Sequence, residues 1–530
     1  MRLVVVGSGP SGVHFAETAL ERGHEVVMLD VGRERPAPVA PGVPFDRIAE
    51  TLADPVRYLL GERFEGVILP SAGKEYYGLP PSKSYVLDEP AHVAADGFHP
   101  LLSFARGGLA EAWTGGVYPF NDEELREFPI GATDLAPCYD EVARRIGISG
   151  EADDLARFWP LHAHLLPPLR LDAHSAHLVA RYRAHAGALN AAGVWLGRSR
   201  IATLTEERDG RRPCTYLGRC LWGCPHDALY TPSVTLARLL GHPRFRYVPD
   251  APVTHFTYDA DRRITGVAVR GRPEVPEARA PDGVVLAAGT LASARIYLAS
   301  RWHGAGERVT LTGLMDNQQV LVPFITSGML GRVSEEPAYQ YHQVCVGFAG
   351  KDPAHYVHAQ LTTLKTAMVH PVIQSLPLDL RSATAVFRLL RGALGIANVN
   401  LHDTRRESCT ASLEPGAEGT AGTLRLRYVG APDDAEQIAN AVRRVKGALR
   451  RLGSLAPPGM THVRPKGASV HYAGLLPMGR GGAPLTATAD CKSNDFANLW
   501  LADGITFPFL PAKNITFTLM ANAVRVARTL

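Results

Sequence analysis

The chain has 530 residues, of which 46% are hydrophobic and 20% charged, with a formal net charge of +4. That is enough apolar content for one large core or two fused domains. No apolar run is long enough to span a membrane, and a small, dispersed basic excess dominated by arginine is no footprint for nucleic acid. Internal repeats, long low-complexity tracts and a C-x-x-C-H haem attachment motif are all missing from the sequence.

The N-terminus reads M-R-L-V-V-V-G-S-G-P-S-G, an apolar run feeding G-x-G-x-x-G at Gly7, Gly9 and Gly12. A helical stretch over 13–22 and a second buried strand, E-V-V-M-L-D, follow, so Asp30 stands at a strand end eighteen residues after Gly12. Strand, glycines, helix, strand and acid in that order predict dinucleotide binding. The three glycines serve a tight turn, pyrophosphate approach and helix packing, and the carboxylate accepts hydrogen bonds from the adenosine ribose. The chain opens directly on this strand with no signal-peptide pattern, which predicts a reducing, cytoplasmic setting.

Further along, F-A-R-G-G-L-A-E-A-W-T-G-G-V over 104–117 packs glycines around Trp113. The stretch over 162–185 carries His162, His164, His174, His177 and His185 without carboxylate spacing for a metal, and reads as a solvated face. Next, R-P-C-T-Y-L-G-R-C-L-W-G-C-P-H-D-A places Cys214, Cys220 and Cys224 in a C-x5-C-x3-C-P array. Clustered cysteines in a reducing compartment suggest metal or redox work, and the spacing is wrong for a disulfide-reductase pair. Zinc held by the three cysteines with His226, or a cysteine-rich loop without metal, are the readings open at this point.

V-V-L-A-A-G-T-L-A-S-A-R-I over 284–296 is a strand, a glycine turn and a helix. Strand-like runs follow at 319–326, 340–348 and 355–364. Gln343 and Gln360 lie in the last two, where alternation reads them as solvent-facing, with contact to substrate hydroxyls the alternative. The last sixty residues carry S-V-H-Y-A-G with His471, N-L-W-L-A-D-G-I with Asp503 and Gly504, and A-K-N-I-T-F-T with Asn514. A short buried strand over 498–502 ends in an acid and a glycine, the kind of strand end where open α/β sheets bind ligands. After a Pro-punctuated loop, apolar residues at helical spacing run over 515–530, with Asn514 placed to cap that helix.

Together these motifs resemble the glucose-methanol-choline (GMC) family of FAD-dependent oxidoreductases, over more than half of the chain. Within it, the G-G-L-A-E-A-W-T segment, N-D-E-E-L and Y-D-E-V-A-R-R-I-G are most similar to the pyranose-oxidase and FAD sugar-dehydrogenase branch. The resemblance implies an α/β fold: a discontinuous Rossmann-type FAD-binding domain over 1–135, 196–310 and 466–530, and a substrate domain over 136–195 and 311–465. The latter is built on a mostly antiparallel sheet, as in GMC and p-hydroxybenzoate-hydroxylase-like architectures. Gly107, Gly108, Ala288, Gly289, Asp503 and Gly504 then join Gly7, Gly9, Gly12 and Asp30 around the cofactor. Where some pyranose oxidases attach FAD through a histidine before the tryptophan, this chain has Ala112, so the FAD is expected to be noncovalent.

By the same resemblance, His471 matches the histidine of the family's H-x-x-G segment and Asn514 the second member of its His/Asn or His/His pair. His471 then takes the hydroxyl proton of a CH-OH group while hydride passes to flavin N5, and Asn514 orients the oxygen. The expected substrate is an alcohol, namely a sugar, a glycoside or a hydroxylated natural product. A lyase of the hydroxynitrile-lyase type, with structural FAD and no net redox, is the alternative. The Cys214, Cys220 and Cys224 spacing resembles the segment that holds a three-iron [3Fe-4S] cluster in membrane-associated FAD glucose dehydrogenases. With such a cluster the enzyme is a dehydrogenase delivering electrons to a protein or quinone; without it, oxygen becomes the oxidant.

Overall fold

A computed structural model describes residues 1–35, 42–64, 79–87, 92–271, 275–332, 337–365, 373, 376–416 and 422–530. Its organising element is a five-stranded parallel sheet in the order Leu499–Leu501, Gly283–Leu286, Arg2–Val6, Glu25–Leu29, Phe245–Val248. The strands are apolar on both sides, as parallel strands covered on two faces must be. Leu3 and Val5 point into a core shared with the helices Pro10–Glu21, Ala132–Ile146 and Thr516–Arg528, whereas Val4 and Val6 point into a second core with the helix Thr290–Ala305. Strands from the two ends and the middle of the chain thus meet in one sheet, the discontinuous Rossmann-type arrangement expected from the sequence.

The second large sheet is antiparallel and has seven strands. Its main path runs Ser454–Leu455, Gln318–Thr326, Leu394–Leu401, Val357–Thr363, Val344–Phe348, Val194–Arg198, and His462–Val463 also pairs with Gln318–Thr326. One face is uniformly apolar, with Val320, Val322, Val346, Ala359 and Val399 packed beneath the helices Ala173–Ala191 and Asp434–Arg451. The alternate residues are polar yet buried: Gln319, His358, Gln360 and Asn400 are each at most 6% exposed. Alternation therefore separates two buried faces here, because the polar one turns toward the parallel-sheet half of the molecule. Gln343 is also buried, with Oε1 accepting from the Asp172 amide (2.8 Å) and Nε2 donating to the Arg170 carbonyl (2.7 Å). The solvent-facing reading of Gln343 and Gln360 is thus corrected. Of the five histidines read as a solvated face, His164 and His185 are exposed, whereas His174 is buried against Thr326 Oγ1 at 2.6 Å.

One buried ion pair joins the C-terminal segment to the rest. Lys513, fully buried, donates to Glu124 Oε2 (2.7 Å) and to the carbonyls of Pro119 (2.8 Å) and Phe158 (2.9 Å). Burial pulls the Lys513 ammonium down and pushes the Glu124 carboxyl up, each opposed by the partner's charge. Removing one partner strands the other charge, which costs about 3–5 kcal/mol in buried pairs. Lys513→Met is accordingly expected to lower the melting temperature sharply, and Lys513→Met combined with Glu124→Leu to recover much of the loss. Equal melting of the single variant and the parent would contradict this role.

Candidate active site

Register brings the candidate residues together. Val6 pairs with Leu286 and Leu286 with Leu501, so the chain turns out of the sheet side by side at Gly7, at 287–289 and at 502–504. Gly7 has φ +101°, and a Cβ there would meet the Ala287 carbonyl at 2.6 Å; a Cβ on Gly12 would lie 2.0 Å from the Gly7 carbonyl. These two glycines allow the first turn and the following helix to pack against strand ends. Gly9 differs: at φ −63° a Cβ would meet no protein atom within 4 Å. The space beside it is open.

That space belongs to a cavity of about 580 Å³. Gly7, Gly9, Asp30, Gly108, Ala288, Gly289, Asp503 and Gly504 line it, and His471 and Asn514 do too. Gly12 and Gly107 stand behind the wall: the first packs helix on strand, and the second, at φ +90°, donates its N–H to Ser8 Oγ (2.9 Å). Ser8 Oγ in turn donates to Asp30 Oδ2, which also accepts from the Tyr247 hydroxyl at 2.9 Å. Burial raises the Asp30 carboxyl to about 6 against these hydrogen bonds. Asp503 accepts from Gly289 N (2.9 Å), Ser293 Oγ (2.6 Å) and Ile505 N (3.0 Å), and burial likewise raises it to about 6. A carboxylate, bare glycine backbone and the start of the helix Pro10–Glu21, with a histidine and an amide among the lining residues, fit a dinucleotide such as FAD.

His471 sits on a braced loop. Its N–H donates to Ser469 Oγ (3.0 Å), and Ser469 Oγ donates to Asp316, which also accepts from Gly467 N at 2.7 Å. Asp316 is fully buried, and desolvation raises its carboxyl to about 7. Val470 has φ +58°, an uncommon conformation for a β-branched residue and one that recurs at functional sites. The His471 ring contacts Asn317, with Nδ1 3.1 Å from Oδ1. Desolvation, reinforced by the Arg464 charge, lowers the imidazole to about 4, so it is neutral at pH 7.

Asn514 does not cap the following helix. That helix spans Thr516–Arg528 and receives no side-chain cap, while Asn514 Oδ1 accepts a hydrogen bond from Gln360 Nε2 at 2.5 Å. Gln360 and Asn317 are site residues that sequence reasoning missed or set aside. Asn317 lies in an unremarkable D-N-Q-Q stretch, and Gln360 carried only the signal of a polar residue in an apolar run.

The iron-sulfur expectation is overturned. Among the described residues no group of three or more His, Cys, Asp or Glu side chains could hold a metal ion. Cys214, Cys220 and Cys224 are free and half-buried. Cys214 and Cys220 pack against Leu169, Ile201 and Tyr339, and this desolvation pushes their thiols up to about 11 and about 12, away from the thiolate that a cluster needs.

A family profile described as GMC oxidoreductase matches residues 407–523. Among curated proteins, paromamine 6'-oxidase of Streptomyces fradiae is 23% identical and 6'''-hydroxyparomomycin C oxidase of Streptomyces lividus 24% identical. Each match covers 99% of this chain and 90% of the relative. Similar solved structures include pyridoxine 4-oxidase from Mesorbium loti (TM-score 0.59, 15% identity, 100% of this chain and 98% of that one). A formate oxidase has a TM-score of 0.61 at 12% identity, covering 99% and 97%. The fold is that of the GMC and p-hydroxybenzoate-hydroxylase-like enzymes, and the profile match places a GMC-type segment in the C-terminal part of the chain. It is accordingly an enzyme of the FAD-dependent oxidoreductase class that acts on CH-OH groups. Among the described residues no helix is long and apolar enough to cross a membrane.

The two glycines separate cofactor binding from folding. Gly9→Ala adds a methyl that meets only cavity, so purified protein is expected to lose flavin absorbance while the flavin-free chain melts at the parent temperature. Gly12→Ala collides with the Gly7 carbonyl and should lower both. Full flavin content in Gly9→Ala would contradict this placement of the cofactor.

Proposed function

We propose that this enzyme oxidises a hydroxyl group on a sugar-containing small molecule, with His471 as general base and Asn514 as the group that orients the hydroxyl oxygen. The observation that carries the reading is that both residues line the same cavity as the Gly7, Gly9 and Asp30 cradle. When bound there, FAD supplies a two-electron acceptor for the hydrogen leaving the alcohol carbon.

The protein's part is to move one proton and fix one oxygen. A neutral His471 has a lone pair to accept the hydroxyl proton, and its desolvated surroundings keep that lone pair free at neutral pH. Asn514, whose Oδ1 is occupied by Gln360, keeps its Nδ2 hydrogens for the substrate oxygen. The helix Thr516–Arg528 begins two residues later, with Ile515 and Thr516 on the cavity wall. Its positive end favours negative charge that develops in the site.

The substrate class is supported by the two curated relatives, whose names give a 6' position of paromamine and 6'''-hydroxyparomomycin C as what they oxidise. A hydroxyl of a glycoside-type natural product is therefore the substrate proposed for this chain. Both curated relatives are named oxidases, and dioxygen is the acceptor proposed for this chain, with hydrogen peroxide released for each alcohol oxidised.

Anaerobic mixing with substrate tests the base. His471→Ala is expected to bind flavin normally and to slow its reduction by about 10²–10⁴-fold, the usual worth of a positioned general base. Reduction at the parent rate would contradict the assignment. The pH dependence gives a second check. Because burial depresses His471 to about 4, the reduction rate should hold steady from pH 8 through 6 and fall only as pH 4 is approached and the ring protonates. An acid limb at the ordinary histidine value of 6.5 would contradict it.

A further inference from the structure

Resting on that reading of His471, we infer that Asn317 is a positioning residue that sets the tautomer of the catalytic imidazole, with hydrogen on Nδ1 and a bare Nε2. Asn317 is 1% exposed and its amide nitrogen has two hydrogens. Both are committed to backbone carbonyls, Leu401 at 3.0 Å and Pro511 at 2.8 Å. A carbonyl oxygen can only accept, so these two contacts fix which end of the amide is nitrogen. The remaining atom, Oδ1, faces His471 Nδ1 at 3.1 Å. It too can only accept, so the ring nitrogen opposite it must carry the hydrogen. In a neutral imidazole one nitrogen is then left with a lone pair, and that nitrogen is Nε2.

The Asn317 amide also ties the two halves of the catalytic pair together. Its backbone lies next to Asp316, whose carboxylate braces the His471 loop through Ser469 and Gly467. The strand Met315–Asp316 pairs with Tyr472–Ala473, the residues that follow the histidine. The Pro511 carbonyl that Asn317 holds lies three residues before Asn514. One side chain thus orients the base and anchors the segment that carries its partner. A histidine held in the wrong tautomer presents a hydrogen where a lone pair is needed, and catalysis suffers far more than binding.

The test uses the flavin-loaded enzyme with ¹⁵N-labelled histidine, the His471 signals being assigned by their disappearance in His471→Gln. The expected wild-type spectrum has Nδ1 protonated and Nε2 unprotonated. Asn317→Leu, which removes the acceptor, should shift the ring toward the Nε2–H form and lower kcat by about 10²-fold or more with KM little changed. Asn317→Asp, which keeps an oxygen opposite Nδ1 but loses both donors to Leu401 and Pro511, should retain the Nδ1–H form. Wild-type enzyme with hydrogen on Nε2, or Asn317→Leu with unchanged tautomer and kcat, overturns the proposal; the wild-type spectrum decides even where a variant fails to fold. Flavin reduction at the parent rate in His471→Gln would instead overturn the general-base reading, whatever the tautomer.

Discussion

The site depends on the register of three parallel strands. Because Arg2–Val6, Gly283–Leu286 and Leu499–Leu501 end level with one another, three turns from residues hundreds of positions apart open onto one edge of the sheet. Hydrogen bonds then lock the turns together: Asp503 to Gly289 N and Ser293 Oγ, Gly107 N to Ser8 Oγ, and Ser8 to Asp30. A one-residue slip would move the Asp503 carboxylate off the Gly289 amide and invert which side chains enter each core. Parallel strands buried on both faces are strongly specified in register by those cores, so the geometry of the proposed cofactor cradle follows from hydrophobic packing.

The antiparallel sheet contributes the second constraint. Its apolar face is held by two helices, and its other face buries amides and a histidine instead of exposing them. Buried polar groups need partners, and the amides find them: Gln319 Nε2 donates to Asn400 Oδ1 at 2.9 Å, and Gln360 donates to Asn514. Through Gln360 this face fixes the side chain of Asn514, which does line the cavity.

Much of this was legible in the sequence where chemistry and local conformation coincide. Gly7, Gly9, Gly12 and Asp30 announce their arrangement because a tight turn, a close approach and a strand-end acid each demand a residue type at a fixed spacing. His471 and Asn514 gained meaning only through the order of motifs around them. Gln360 and Asn317 were not legible, because their importance comes from atoms brought beside them by strand pairing and by the Pro511 turn, far away along the chain. The cysteine array misled for the opposite reason. Its spacing resembled a ligand set, but packing against Leu169, Ile201 and Tyr339 makes Cys214 and Cys220 poor thiolates.

His471 and Asn514 are proposed to act on an alcohol whose carbon surrenders its hydrogen in the flavin site. The most direct measurement is rapid anaerobic mixing of the flavin-loaded enzyme with a panel of hydroxylated sugars and glycosides, each effective compound being repeated with deuterium at the reacting carbon. An effective compound is expected to bleach the flavin absorbance, to yield one carbonyl product per flavin reduced, and to do so more slowly when deuterated. Flavin that stays oxidised across the panel, or bleaching indifferent to deuterium at that carbon, would contradict it.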